Sequence, residues 1–160
     1  MRGHALSIAL AALLGSATTL AQAKHPATPA APAHPAVAAT PARNIGSMSD
    51  LMVKIIYPTS DALFYVESRT PKDEAEWNAF EGQMLMLAES ANLLMMPGRA
   101  RDQKQWMADA RLMLDAGALA VKAARTKNVE SISALSDQLL ESCTTCHKHY
   151  RPGYGQKPQR

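Results

Sequence analysis

The stretch "NVESISALSDQLLESCTTCHKHYRPG", residues 128–153, decides how the rest of the chain is read. Ile132, Leu135, Leu139, Cys143, Cys146 and Tyr150 recur every three or four positions, the period of one face of an α-helix. Asn128 is a good N-cap, and Pro152 with Gly153 ends the pattern. The segment predicts one amphipathic helix. Both cysteines of the chain lie on its apolar face, three residues apart, and project to one side.

Upstream, the same period returns three times. Residues 102–126, "DQKQWMADARLMLDAGALAVKAART", turn Trp106, Ala110, Met113, Ala120 and Ala124 inward. Gly117 shares that stripe, where it weakens the helix slightly but admits a close neighbour. Residues 70–96 carry Trp77, Phe80, Met84, Leu87, Ala91, Leu94 and Met95 on one face. Thr70 reads as their N-cap, Pro71 suits a first turn, and Asp73, Glu74 and Glu76 complement the positive helix end. Pro97 and Gly98 stop the helix. Residues 47–68 place Met48, Leu51, Met52, Ile55, Ala62, Leu63 and Val66 on a stripe capped by Ser47 or Ser49. Pro58 interrupts it, and a kink is expected there because proline offers no N–H to the carbonyl of Lys54 and crowds it. Four helices with short connections predict an all-α fold, an antiparallel up-down four-helix bundle spanning residues 45–154. The stripes explain such a bundle without any function, and its methionines serve equally as flexible core filler.

The chain has 160 residues, and the start is not part of that fold. Arg2, the apolar run Ala5–Leu14 and the small-x-small site Ala21-Gln22-Ala23 form a secretory signal peptide over residues 1–23. The apolar run is too short for a bilayer, which needs about 20 residues. Residues 24–44 alternate Pro with Ala and read as an extended tether, in which His25 and His34 are solvated. Residues 155–160 form a short tail. Of 17 Lys plus Arg against 14 Asp plus Glu, the surplus is Arg2, Lys24 and Arg43. The helical domain is therefore charge-balanced, which argues against nucleic acid as the main partner. With no later membrane span, the mature chain is expected to be soluble and periplasmic.

The chemistry lies in "CTTCH", residues 143–147. This is the C-x-x-C-H spacing of c-type haem attachment. Two thiols on one helix face add to the two vinyl groups of the porphyrin, and His147 is then placed under the iron as proximal ligand. A thioredoxin-like pair also uses C-x-x-C, but at a helix start that lowers a thiol pKa, whereas this pair is near a helix end. Zinc needs four ligands around it, and Cys143, Cys146, His147 and His149 on one helix cannot surround a metal. Two free buried thiols would be unusual in an oxidising compartment. One covalent haem c per chain is the expectation. His149, two residues from His147, is read as a surface residue pointing away from the iron.

Extended by four residues, the motif becomes "CTTCHKHYR", which resembles the ending of cytochrome c′ and its low-spin relatives, the class II c-type cytochromes. The resemblance extends over residues 47–151. It implies an exported four-helix bundle with thioethers at Cys143 and Cys146, His147 as proximal ligand, and Tyr150 and Arg151 beside the haem. It also implies that the first helix lays Met52 over the distal face, where a methionine binds iron in low-spin members. Dimers through the first two helices are common in the family. Two positions depart from it. Met48 stands where the family often has Arg, and Pro58 interrupts the first helix.

Two functions are expected on this basis. With His147 and Met52 both bound, the protein is a one-electron carrier. Lys148, Arg151, Lys157 and Arg160 then make a basic end that steers an acidic redox partner. With Met52 unbound, a five-coordinate iron under an apolar face takes NO or CO, for scavenging or sensing. No Ser-His-Asp set, second histidine over the iron or carboxylate pair supports turnover, so no enzyme is expected.

Overall fold

The computed structural model describes residues 42–156, and these are helical without strands. The expected leader and the expected tether up to residue 41 with His25 and His34, and Lys157 and Arg160, lie outside the described residues. Six α-helical elements appear, α1 (Met48–Leu51), α2 (Tyr57–Phe64), α3 (Glu74–Met95), α4 (Gln105–Arg125), α5 (Val129–Ser133) and α6 (Ser136–Tyr150). They fall into the four helical stretches that the sequence predicts and are compatible with a helical bundle. No described helix is long and apolar enough to cross a membrane.

The first stretch starts on a capping box. The Ser47 hydroxyl accepts from the Asp50 amide at 3.1 Å, and the Asp50 carboxylate accepts from the Ser47 amide at 3.0 Å. Between α1 and α2 the backbone widens into a π-helical segment, Met52–Ile56, in which the Tyr57 amide reaches the Met52 carbonyl. Pro58 therefore acts one turn earlier than a simple kink at its own position. It cannot serve the carbonyls behind it, and the widened ladder absorbs the loss. The buried Thr59 hydroxyl donates to the Ile55 carbonyl at 2.7 Å, so its burial leaves no idle donor.

The start of the second stretch differs from expectation. Asp73, not Thr70, caps α3, accepting from the Glu76 amide at 2.9 Å. Glu76 in turn accepts from the Lys72 amide at 2.7 Å, and these two bonds fix the start of α3 ahead of a lone threonine cap. Thr70 instead closes the preceding turn by donating to the Val66 carbonyl at 2.8 Å. Pro71 lies ahead of the helix. The fourth stretch is divided at Ala134 and Leu135, where the Leu135 amide bonds three residues back to Ile132. Ser131, Ser133 and Ser136 crowd this point, and serine competes with helical bonding. The Ser133 hydroxyl is occupied by Glu67 at 2.6 Å.

Leu63, Met84, Leu87, Ile132 and Leu139 are fully buried and bring all but the third stretch to the centre. The third joins through Gly117. A methyl at Gly117 would sit 2.7 Å from the Ala88 Cα, so α3 and α4 approach closely along Ala88, Ala91, Ala116 and Ala120. Trp106 then anchors the start of α4 to the end of α3, its indole N–H donating to the Leu94 carbonyl at 2.8 Å.

Candidate functional site

The last turns of α6 carry Cys143, Cys146 and His147 onto one cavity of about 40 Å³. Its facing walls are Met52 and Ile56 from the π-helical segment, Leu94 from α3, and Ala110 and Met113 from α4. A second cavity of about 200 Å³ shares Met52, Cys146 and His147 with the first. It adds Met48, Arg101, Trp106, Tyr150 and Arg151. All six residues singled out by sequence, Met52, Cys143, Cys146, His147, Tyr150 and Arg151, thus border this pair of spaces.

The electrostatics are set by burial. Both thiols are free and partly buried. Burial pushes the Cys143 thiol up. Burial, then the charges of Asp109 and Cys143, push Cys146 up to about 11. Burial, with Arg151 adding to it, holds His147 below the ordinary histidine range. At neutral pH its imidazole is therefore neutral and keeps a lone pair for a metal. Tyr154 packs against that ring at 5.1 Å between centroids.

Tyr150 borders the larger cavity together with His147 and also ties α6 to the start of α4. Its ring meets Trp106 edge-on at 4.8 Å, and its hydroxyl donates to Asp102. The same carboxylate accepts from the Lys104 amide at 2.8 Å and the Trp106 amide at 3.1 Å, which starts α4. The bond to Asp102, with burial and nearby negative charge, pushes the Tyr150 phenol up to about 12, and the Asp102 carboxyl is lowered by the same bond.

His149 is not simply a surface residue. Its side chain is 43 % exposed, but Nδ1 lies 2.7 Å from the carboxylate of Asp109, which is 2 % exposed and lines the smaller cavity. Gln105 donates to the other Asp109 oxygen at 2.8 Å. Asp109 escaped sequence reasoning, although its position gave a signal. It stands three residues after Trp106 and four before Met113, on the inward stripe, where a carboxylate is out of place without a partner.

The donor set fits a covalently held porphyrin. Two thiols and an imidazole of one helix open on the same apolar space, and a thioether from another helix lines it. Among the described residues, no group of three or more His, Cys, Asp or Glu side chains is arranged to hold a metal ion directly. No family model matches the chain, and neither the curated proteins nor the solved structures contain a match.

Proposed function

We propose that this chain is an exported class II c-type cytochrome, an antiparallel four-helix bundle carrying one haem c and acting as a one-electron carrier. The observation that carries the reading is the convergence of Cys143, Cys146, His147 and Met52 on one apolar cavity. Cys143 and Cys146 would hold the group by thioethers, His147 would be its proximal ligand and Met52 its distal one. Haem, when bound, supplies the ferric–ferrous couple. The chain's own residues supply the rest. Ile56, Leu94 and Met113 supply an apolar lining, and the neutral His147 keeps its lone pair available.

The raised thiol pKa values count against thiol exchange, which depends on a lowered pKa and a ready thiolate. The position of Met52 at the opening of the π-helical segment also fits a ligand role, since such widenings often mark functional sites. The exposed Lys148 and Arg151 beside the motif would meet an acidic redox partner in the periplasm. The function is transfer rather than turnover.

A second reading has one observation in its favour. The smaller cavity exposes only apolar surface, a lining suited to NO or CO at a vacant iron rather than to oxygen, which gains from a hydrogen bond. The optical spectrum of the protein exported with haem maturation separates the two. A low-spin spectrum indifferent to CO is expected. A high-spin ferrous form that shifts with CO would replace the carrier with a gas-binding protein, and absence of haem would end both readings.

A further inference from the structure

The larger cavity has a charge that the motif does not announce. Arg101, in the connection between α3 and α4, lines it together with Met48, Met52 and Arg151. The connection is held in place from both sides of Arg101. Asp102 is tied to the Tyr150 hydroxyl and to the amides that open α4. The Arg99 guanidinium donates to the Gly46 carbonyl at 3.2 Å. The bond between Asp102 and Tyr150 also sets their chain neighbours, Arg101 and Arg151, on the same space. Among the described residues, neither guanidinium is ion-paired with a carboxylate. Arg151 lies over the Tyr154 ring at 5.9 Å, which leaves Arg101 as the cation on this lining with neither a carboxylate nor a ring partner among the described residues. Such a guanidinium calls for an anionic ligand edge, because arginine recognises carboxylates through a planar fork.

We infer that Arg101 is a positioning residue that binds a propionate carboxylate of the porphyrin. The inference rests on the haem reading and deepens it. A fixed positive charge here favours the ferrous state, which carries one negative charge more than the ferric.

The test uses the full chain matured with haem, poised in a redox buffer at the wild-type midpoint. Arg101→Gln should lower the ferrous-to-ferric ratio by about three- to tenfold, the effect of one partly screened charge at close range. Arg101→Lys should keep the ratio near wild type, and Arg111→Gln, on the exposed side of α4, should leave it unchanged. Arg101 is exposed, so these variants are expected to fold. A glutamine variant that matures without haem, while the lysine variant matures normally, also supports the inference. A wild-type ratio in Arg101→Gln, or equal falls in the lysine and Arg111 variants, would overturn it and leave the haem reading standing. A wild-type chain that takes up no haem removes both.

Discussion

His149 Nδ1 and Asp109 Oδ2 lie 2.7 Å apart, joining a half-exposed ring to a carboxylate that is 2 % exposed. The two partners are not equivalent. Without Asp109, His149 and Gln105 can turn to water. Without His149, Asp109 stays buried with Gln105 alone. An under-satisfied buried group costs about 1–3 kcal/mol. His149→Ala should therefore lower unfolding stability by that amount in urea titrations. Asp109→Asn in the same background should recover part of the loss by removing the buried charge. A single variant as stable as wild type, or a further loss in the double variant, would show that the pair carries no such weight.

Two glycines should respond oppositely to the same substitution. A methyl at Gly117 meets the Ala88 Cα at 2.7 Å, whereas a methyl at Gly82 meets nothing within 4 Å. Both are in helices, so alanine gains about 1 kcal/mol of propensity at each. At Gly117 that gain opposes a backbone contact that no rotamer can relieve, and overpacking costs about 1–3 kcal/mol. Gly82→Ala should raise the thermal midpoint and Gly117→Ala should lower it. The same sign at both would mean that α3 and α4 are free to move apart.

The contrast shows what the sequence could carry. Helical period alone identified Leu63, Met84, Leu87, Ile132 and Leu139 as core, because burial of an apolar stripe is a repeating, local signal. The close approach at Gly117 was legible for the same reason, a glycine on an inward face. The first helix showed that Pro58 would disturb it, but not that the disturbance would take the form of a π-helical widening at Met52. That outcome depends on how neighbouring helices hold both ends. Asp73 prevailed over Thr70 as a cap by accepting from the Glu76 amide, while the Glu76 carboxylate holds the Lys72 amide. The motif residues Cys143, Cys146 and His147 were legible as a spacing on one helix. Asp102, Asp109 and Arg101 were not, because their roles arise across elements distant in sequence.

The thiols of the chain without haem should be slow to react. Cys146 at about 11, against an ordinary 9.0, has roughly a hundredfold less thiolate at neutral pH. Alkylation by iodoacetamide at pH 8 should be slow under native conditions, speed up in urea, and rise with pH toward 11. Fast native alkylation at both cysteines would reopen thiol exchange as the role of the pair.

The hydrogen bond from Tyr150 to Asp102 predicts an alkaline effect with a definite sign. The phenol is neutral when it donates, and its folded pKa of about 12 exceeds the ordinary 10.0. Between those values the unfolded state loses its proton first, so the contribution is present in full below pH 10 and lost as pH rises toward 12. The stability difference between wild type and Tyr150→Phe should narrow across that window. Ultraviolet titration of the folded wild type should show one phenol ionising late that Tyr150→Phe lacks. A constant difference through pH 12 would place the stabilisation elsewhere in the Tyr150 ring, such as its contact with Trp106.

Met52 is where the carrier and gas-binding readings divide, and replacing it tests the proposed ligand directly. It is partly buried, borders both cavities and opens the π-helical segment, so truncation removes a thioether while leaving the capped α1 and the core at Leu51 and Ile56 in place. Met52→Ala in the haem-loaded protein should convert a low-spin spectrum to a high-spin one and create CO binding to the ferrous form. Loss of a thioether ligand, which raises potential, should also lower the midpoint. Met48→Ala, one turn earlier and on the larger cavity only, should leave the spin state unchanged. If Met52→Ala keeps a low-spin spectrum while Met48→Ala loses it, the π-helical segment presents Met48 rather than Met52 as the ligand. If neither variant changes the spectrum, both are packing residues and the iron is vacant or held from elsewhere.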